Sequence, residues 1–441
     1  MQQRRRFKKF ITFKYVSFSI MVILQFTNLK LSIISINNSQ GVFNNKGLNS
    51  IKQPINRVNP LRILMITPFY NPNIGGVETH LDDLCIYLAS KGCIIDVLTY
   101  QPLNTKKKGK SLEIKGKIFI RRINWFGKGL FDKFESKPIL EFIYLFPALS
   151  LCTYIFILSH KNDFDILYTH GLIGSLIGVF ARILANKPAV SSIHTIYNLD
   201  KHQILSKILV WIFGGYNSIL FASKLMQKEF TKIGINQKKT KIFTYWANEK
   251  LFKPIPKEVA KKTLKWDDKF VVLFVGRLIK NKGIDVLIDI AKRSNNNIFY
   301  AIVTNANLDE FRRYINDDLP KNIIYVGPVE YSKLNNYYAA ADIFILPSQH
   351  REGFSRAIIE ASLCGTPVLA SKVGNLPEEV NTKMGELVDP PTAISFLDKI
   401  NYYYLNKAKL HSLSETCAKY AHSYFTSKNA KYIYNTLLDL M

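Results

Sequence analysis

The sequence has few cysteines, and their number and spacing exclude two kinds of small scaffold. Five cysteines occur in 441 residues, and no two of them have the Cys-x-x-Cys spacing. An odd number without such a pair argues against a disulfide framework and against a structural zinc site. We predict that most of them are small, buried apolar residues in a reducing compartment. They are Cys85, Cys93, Cys152, Cys364 and Cys417.

Acidic residues are also scarce. The chain has 33 Asp and Glu against 60 Lys and Arg, which gives a formal net charge of +27. Such an excess attracts anionic lipid head groups, phosphorylated ligands or nucleic acid, although a general bias toward Lys explains it equally well. Zinc-finger spacing and the basic-aromatic RNA-binding consensus are both missing, so we expect no nucleic-acid partner.

The sequence has no clear membrane-spanning run. Five basic residues within residues 4–9 precede an apolar stretch at residues 15–26, which is shorter than the ~20 residues that a spanning helix needs. Residues 1–31 therefore fit an interfacial segment, an anchor or a structureless extension, and we favour membrane association. Residues 138–158 are apolar but include Glu141 and Pro147, which favours a buried helix, with a helix dipping into a membrane surface as the alternative.

Beyond a linker at residues 32–60, short apolar runs alternate with amphipathic segments. The runs are typical of strands buried on both faces, and the segments between them are typical of helices. This alternation predicts parallel sheets covered by helices. The predicted strands are residues 63–67, 94–98, 166–169, 189–193, 218–222, 270–275, 298–303, 323–326, 343–346 and 368–370.

The length suits two domains rather than one. We predict an α/β fold with two doubly wound, Rossmann-like domains facing a central cleft, with ligands at the carboxyl ends of the strands. The predicted divisions are residues 1–60 for the N-terminal segment and linker, 61–250 for an acceptor domain and 251–415 for a donor domain. Residues 416–441 are predicted to form a C-terminal helix that packs back on the first domain.

Two loops contain residues suited to phosphate. Gly75 and Gly76 open the first predicted helix, where the backbone can approach a diphosphate, although any tight turn uses glycine. Gly276 ends the strand at 270–275, and Arg277 and Lys282 follow it. Two cations there would neutralise a diphosphate leaving group without a metal. Each cation taken alone would be interpreted as a solvated surface charge.

Two glutamates and two histidines are the other candidates. Glu352 and Glu360 are separated by seven residues, and either could be an ordinary helix-surface acid. In the predicted fold Glu352 is placed to bind sugar hydroxyls, and Glu360 to accept hydrogen bonds from a ribose diol. His170 and His194 each lie at the carboxyl end of a predicted strand. This position favours a functional role for both, and more strongly for His194 than for His170.

Taken in order, these motifs resemble those of glycosyltransferase family 4, a family of retaining enzymes with the two-domain GT-B fold. The resemblance spans residues 62–382 and is strongest over residues 325–380. It is specific for the family and not for a substrate. The matching positions are Gly327, Tyr337–Tyr338, Ala341–Asp342, Leu346–Ser348, Glu352–Phe354, Glu360–Ala361, Cys364–Val368, Gly374 and Pro377–Glu378.

The resemblance implies a role for each candidate. Arg277 and Lys282, after Gly276, would hold the donor diphosphate, and Glu360 would hold the ribose. Glu352 would engage the transferred sugar. The backbone groups that would assist it belong to Gly353, Phe354 and Ser355, the last of which replaces the usual glycine.

Four further positions receive implied roles in the first predicted domain. Gly75 and Gly76 would approach the donor phosphates. His194 matches the family histidine near the reacting sugar and would bind one of its hydroxyls. Asn248 matches one position of the Asn-Gly-Val-Asp motif that relatives carry near the domain crossing.

The family resemblance implies a retaining hexosyltransferase that takes a sugar from a nucleoside diphosphate sugar and requires no metal or other cofactor. We expect a lipid-linked or surface-glycan acceptor and peripheral contact with an anionic membrane on the cytosolic face. The alternatives are a transferase with a soluble disaccharide or sugar phosphate as product, and a non-catalytic glycan- or nucleic-acid-binding protein.

Overall fold

A computed structural model describes residues 60–105, 107–125, 130–134, 137–197, 199, 203–315 and 319–441. The predicted N-terminal segment at residues 1–31 and almost all of the linker lie outside the described residues. The chain divides into two compact units. The first unit contains the chain up to Ile193 together with Ile208–Ile219 and Tyr434–Met441, and the second contains His194–Lys207 and Leu220–Ile433.

The first sheet has eight strands in the order β3-β4-β2-β1-β5-β6-β7-β8. Strand β1 pairs in parallel with β2 and β5, while β3 and β4 form an antiparallel pair. The strands are β1 (Arg62–Ile66), β2 (Ile94–Tyr100), β3 (Leu112–Lys115), β4 (Ile118–Ile123), β5 (Ile166–His170), β6 (Ala189–Ile193), β7 (Ser218–Phe221) and β8 (Thr240–Ile242). The helices are α1 (Gly76–Ser90), α2 (Leu130–Phe134), α3 (Pro138–His160), α4 (Gly171–Ala185), α5 (Gln203–Gly214) and α6 (Lys224–Lys232).

The second sheet has six strands, and each strand is parallel to its neighbours. Its order, β11-β10-β9-β12-β13-β14, is that of a doubly wound fold, with the direction of winding changing between β9 and β12. The strands are β9 (Phe270–Val275), β10 (Ile298–Val303), β11 (Ile323–Gly327), β12 (Ile343–Leu346), β13 (Val368–Ser371) and β14 (Gly385–Val388). The helices are α7 (Lys257–Leu264), α8 (Ile284–Arg293), α9 (Leu308–Ile315), α10 (Leu334–Ala340), α11 (Arg356–Leu363), α12 (Leu376–Glu379), α13 (Ala393–Leu405), α14 (Lys407–Tyr424) and α15 (Ala430–Leu438).

The predicted α/β class with two domains built on parallel strands is confirmed, and all ten predicted strands are present within one residue at most ends. The prediction of one helix over residues 416–441 is wrong, because two helices occupy this region. Helix α14 ends at Tyr424 and α15 begins at Ala430, with a 3₁₀ turn between them. Ser427 donates through its backbone N–H and its hydroxyl to Glu249, and these bonds fix the turn. The predicted domain boundaries stay a prediction.

The five cysteines all lie in the described part of the chain, where they are buried and free. Burial raises the pKa of the Cys85 and Cys417 thiols to about 12, so both stay protonated and unreactive at neutral pH. The predicted role as small apolar core residues is therefore confirmed.

A buried ion pair connects the first sheet to helix α3. The Arg121 Nε donates to Asp96 Oδ1 at 2.9 Å, and both side chains are almost fully enclosed. The Arg121 guanidinium lies 5.2 Å from the ring centroid of Phe156, whose ring stacks on His160. Burial is the largest influence on the Asp96 carboxyl and raises its pKa, while Arg121 opposes that shift. The pair therefore ties β2, β4 and α3 into one core.

Helix α3 continues through Pro147. Over Leu140–His160 it is long and apolar enough to cross a membrane by length and composition, but half of that stretch is buried in the protein. Core helices of soluble proteins can have the same length and apolar composition. The predicted buried helix thus describes one side of α3, including Leu149, Cys152 and Phe156.

We predict that Arg121→Ala lowers the free energy of unfolding by about 3–5 kcal/mol, because it leaves the buried Asp96 carboxylate without its cation. Denaturation of the full chain in urea measures the change. Arg293→Ala is the matched control, since Arg293 pairs with Asp289 at 2.8 Å on an exposed helix face and should cost less than about 1 kcal/mol. Equal losses in the two variants would contradict a structural role for the buried pair.

Candidate functional site

The loop after β9 contains both predicted phosphate-binding cations. Gly276 directly follows the strand, Arg277 comes next and is half-buried, and Lys282 closes a short 3₁₀ turn. Gly283 then adopts a positive φ of 74°, and a Cβ atom there would lie 1.8 Å from the Pro347 carbonyl oxygen. Only glycine allows the loop after β9 to approach the loop after β12 this closely.

Lys282 and Glu352 meet directly. The Lys282 Nζ lies 2.9 Å from Glu352 Oε2, and the Ser348 hydroxyl donates to Glu352 Oε1 at 2.6 Å. The side chains of the pair are 21% and 12% exposed, so the interaction is mostly shielded from water but remains accessible at one side. The structure therefore brings together one predicted cation and one predicted sugar-binding acid.

The backbone around Glu352 is fixed by the segment after β13. The Asn375 N–H donates to the Glu352 carbonyl oxygen at 2.9 Å. Gly374 has a φ of 57°, and a Cβ atom there would lie 2.5 Å from the Glu352 nitrogen. The position of Glu352 is thus set by its backbone as well as by its side chain.

A second acid, Glu379, lies beneath this loop. Its carboxylate accepts the Ser355 N–H at 3.1 Å and 3.3 Å through its two oxygens. Burial raises the pKa of Glu379 well above its ordinary value, the nearby Glu352 raises it further, and Lys282 and the Ser355 N–H oppose the shift. The Ser355 N–H, predicted to engage the transferred sugar, has an internal partner in this structure. A sugar oxygen would have to compete with Glu379 for it.

Glu360 lies in a separate hydrogen-bond network on α11. Its two carboxylate oxygens accept the hydroxyls of Tyr331, at 3.1 Å, and Tyr338, at 3.0 Å. Arg356, one helical turn earlier, lies 3.5 Å from the carboxylate and donates to the Tyr331 oxygen at 2.7 Å. The network holds the Glu360 side chain in one orientation while it is largely buried.

His194 belongs to the second compact unit and is 7% exposed. Its Nδ1 forms a short hydrogen bond with the Tyr245 hydroxyl, and its ring meets that of Phe243 edge-on. Burial lowers the pKa of His194 to about 3, so the imidazole is neutral at physiological pH. It can therefore serve as a hydrogen-bonding group and not as a cation.

His194 is connected to the loop that carries Glu352. Tyr245 stacks on Phe354 with ring centroids 4.2 Å apart. A Cβ atom on Gly353 would lie 2.5 Å from the His194 carbonyl oxygen, so glycine permits this approach. The structure thus places His194, Gly353 and Phe354 close together.

Three candidates lie in the first compact unit. Gly75 precedes α1 and Gly76 begins it, so both lie at a helix N-terminus as predicted. The φ of Gly75 is 173°, which any residue adopts, so its backbone does not demand glycine. His170 ends β5, is almost fully buried and packs against the Tyr168 ring at 4.3 Å. Its packing favours a core role.

Asn248 has a local structural role. Its side-chain oxygen accepts the N–H groups of Lys250, at 3.0 Å, and Leu251, at 3.3 Å. This is an Asx-type turn, in which the amide replaces backbone partners. The structure gives no sign that Asn248 contacts the other candidates.

Several residues of these networks were not predicted. Arg356 could have been found, since it precedes Glu360 by four positions and such pairs share a helix face. Ser348 and Tyr338 lie in matching family motifs but had no assigned role. Tyr245 and Tyr331 have no local sequence signal, because their partners are distant in sequence.

The arrangement can bind an anionic, hydroxyl-rich ligand. Lys282 and Arg277 provide positive charge at the carboxyl end of β9, Glu352 is a fixed acceptor, and His194 is a neutral imidazole. No group of three His, Cys, Asp or Glu suited to a metal ion occurs among the residues that the structure describes.

Comparison with protein families gives two matches. Residues 74–243 match the family described as Glycosyltransferase Family 4, and residues 256–422 match Glycosyl transferases group 1. The two regions together cover most of the described chain.

Curated relatives include enzymes that act on lipids. A subunit of the human phosphatidylinositol N-acetylglucosaminyltransferase is 24% identical over 346 residues, covering 74% of this chain and 65% of that protein. The alpha-galactosylglucosyldiacylglycerol synthase of Streptococcus pneumoniae is 27% identical over 171 residues, covering 36% and 46%.

Solved structures show the same fold. Sucrose-phosphate synthase from Thermosynechococcus elongatus matches with a TM-score of 0.71 at 20% identity, covering 86% of this chain and 100% of that one. Anabaena HepE in complex with UDP-glucose matches with a TM-score of 0.69 at 21% identity, with the same coverage.

We predict that Tyr245→Phe shifts the ¹⁵N signals of His194. A phenol is the better donor to a neutral imidazole, so Tyr245 should hold Nδ1 as an acceptor and leave the proton on Nε2. The variant keeps the ring that stacks on Phe354 and loses only the hydroxyl that favours the Nε2-protonated form of His194. NMR of the labelled full chain measures both nitrogens, with the exposed Tyr424→Phe as control.

The same spectra test the neutral state of His194. Because burial lowers its pKa to about 3, its nitrogens should not titrate between about pH 5 and pH 8. A His194 signal that titrates in this range, or identical shifts in wild type and Tyr245→Phe, would overturn this account of the residue.

Proposed function

The chain belongs to the group 1 and family 4 glycosyltransferases, and on that basis we propose that it moves a sugar from a nucleoside diphosphate sugar to a lipid-linked or surface-glycan acceptor, with retention of anomeric configuration. The observation that carries this proposal is the Lys282–Glu352 ion pair between the loops after β9 and β12. In this proposal the Lys282 ammonium binds a phosphate and the Glu352 carboxylate binds sugar hydroxyls, and their contact supports a ligand in which a sugar is linked to a pyrophosphate.

The donor half of the site would work by electrostatic stabilisation. Arg277 and Lys282 hold the diphosphate and balance the negative charge that grows on it as the glycosidic bond breaks. Glu360 accepts hydrogen bonds from the ribose. A UDP-glucose complex of the structurally similar HepE supports a nucleotide-sugar donor.

The sugar would be held by Glu352 and by His194, whose neutral imidazole bonds a hydroxyl. Glu352 is engaged by Lys282 and Ser348, and Glu379 is buried against the Ser355 N–H. Carboxylates held in this way are poor covalent nucleophiles. We therefore propose that the acceptor attacks on the face from which the diphosphate leaves, without a covalent intermediate and without a metal.

The acceptor is proposed to be lipid-linked or part of a surface glycan. The names of two relatives support this, since they refer to phosphatidylinositol and to a glycosyldiacylglycerol. The excess of basic residues supports peripheral contact with an anionic membrane on its cytosolic face, where sugar nucleotides are available.

We predict that Arg277→Ala lowers kcat/KM by about 10²–10³-fold, because it removes a cation aimed at the leaving group. Glu360→Gln should weaken donor binding by about tenfold and is preferred to Glu360→Ala, because Gln keeps the size of the side chain and one acceptor oxygen for the Tyr331 and Tyr338 hydroxyls. Steady-state rates and calorimetry measure the two effects. Arg312→Ala, on an exposed face of α9, is the control. Wild-type values in both site variants would refute the assigned roles.

We predict that one nucleoside diphosphate sugar raises the melting temperature of the full chain, and that its product keeps the anomeric configuration of the donor. Thermal shift against UDP-glucose, UDP-N-acetylglucosamine and GDP-mannose identifies the donor, because a ligand that binds only the folded state stabilises it. NMR of the product gives the anomeric configuration. An inverted product would exclude the proposed direction of attack.

A further inference from the structure

Three helices of the first compact unit expose large apolar side chains to solvent. Ile183 on α4 is 72% exposed, Leu158 on α3 is 68% exposed, and Trp211 on α5 is 56% exposed. Single exposed apolar residues are ordinary, but a cluster of large ones is not. We call this cluster the apolar face. Its members are Leu151, Leu158, Phe180, Ile183, Ile208 and Trp211.

The sheet order places α3 and α4 in one layer. Both connections, from β4 to β5 and from β5 to β6, move in the same direction along the sheet, whereas the connection through α1 moves in the opposite direction. Right-handed crossovers therefore place α3 and α4 on the face opposite α1. The Tyr154 hydroxyl of α3 donates to the Ile177 carbonyl oxygen of α4 at 3.5 Å, which connects the two helices.

Helix α5 extends the same surface. The rings of Phe180 and Trp211 have centroids 5.8 Å apart, and the Arg182 guanidinium donates to the Gly215 carbonyl oxygen just beyond the end of α5. The exposed side chains of α4 and α5 are therefore neighbours. Helix α4 thus contacts both α3 and α5, and the three helices together carry the apolar face.

The side chains of the apolar face do not pack in the core of the first unit. Each helix has a separate buried side, which includes Phe156 on α3, Ile177 on α4 and Phe213 on α5. The residues of the apolar face remain outside this packing. A surface of this kind in a stable fold indicates a partner outside the unit.

The charged residues on and near the helices of the apolar face are mostly basic. Residues 142–162, 166–197 and 203–219 contain no Asp or Glu. Lys161 follows α3 and Lys187 lies two positions after the end of α4. An apolar surface that includes Trp and Phe and has mostly basic charged residues near it fits a membrane interface with anionic head groups.

We propose that the apolar face docks on the surface of an anionic phospholipid bilayer, with Trp211, Phe180 and Ile183 inserted at the level of the head groups. Docking would hold the enzyme beside a lipid-linked acceptor, and in this respect alone the proposal rests on the proposed function. Charge complementarity favours a bilayer over a second copy of this chain, since two equally basic surfaces repel one another.

Quenching of tryptophan fluorescence tests the contact directly in the full chain. Vesicles of phosphatidylglycerol and phosphatidylcholine with brominated acyl chains should quench Trp211, because bromine quenches only nearby indoles. Trp246 and Trp266 are buried and Trp125 is half-buried, so the signal should disappear in Trp211→Phe. Quenching should be weaker in vesicles of phosphatidylcholine alone.

Ile183→Glu places an anion in the apolar face and should weaken partitioning into the anionic vesicles by about tenfold or more. Ile394→Glu is the matched control, since Ile394 is 60% exposed on α13 in the other unit and should partition as the wild type does. The Trp211 signal reports docking of this face even if another segment also binds the vesicles.

Three results would overturn the proposal. The first is a protein that sediments with the vesicles while Trp211 is not quenched. The second is an equal loss of vesicle affinity in Ile183→Glu and Ile394→Glu. The third is a dimer in sedimentation velocity that Ile183→Glu dissociates, which would assign the face to a second copy. Thermal shift with the same three nucleotide sugars tests the proposed function separately. Ile183→Glu should still bind the donor, whether or not the apolar face docks on the bilayer.

Discussion

The ion pair between Lys282 and Glu352 constrains the loops at one edge of the second sheet. It connects two loops at the carboxyl ends of β9 and β12, where the winding of the second sheet changes direction. Gly283 and Gly374 allow the flanking backbones to come close enough for the pair to form. Because the carboxylate is also fixed by Ser348, the Lys282 ammonium has a defined position before any ligand arrives. Such preorganisation reduces the reorganisation that charge stabilisation would otherwise require.

Two other acids of the second unit are also held in place by hydrogen bonds. Glu360 is held by two phenols and by Arg356, and Glu379 is held by a backbone N–H under strong desolvation. His194 stays neutral because it is buried. Each of these polar groups therefore has a defined hydrogen-bond partner. A low-dielectric site built in this way strengthens interactions with a charged ligand and resists rearrangement.

Much of the fold could be predicted from the sequence because strands buried on both faces, such as β9 and β12, are short apolar runs. The β3–β4 hairpin was missed since Leu112–Lys115 is partly exposed and gives no such run. The acids and cations of the site could be named from motifs, but their partners could not. Lys282 and Glu352 are 70 positions apart, and His194 and Tyr245 are 51 apart. Only the sheet topology and the course of the loops bring these pairs together.

Helix α3 shows why apolar length alone does not establish a membrane span. Its buried side carries Phe156, whose ring lies against Arg121 and thereby closes the environment of the Asp96 carboxylate. Transfer of the whole helix into a bilayer would expose that buried ion pair and forfeit its shielding. Contact through Leu151 and Leu158, on the solvent side, leaves the ion pair enclosed. The core of the first unit therefore permits membrane contact at the surface and opposes insertion across the bilayer.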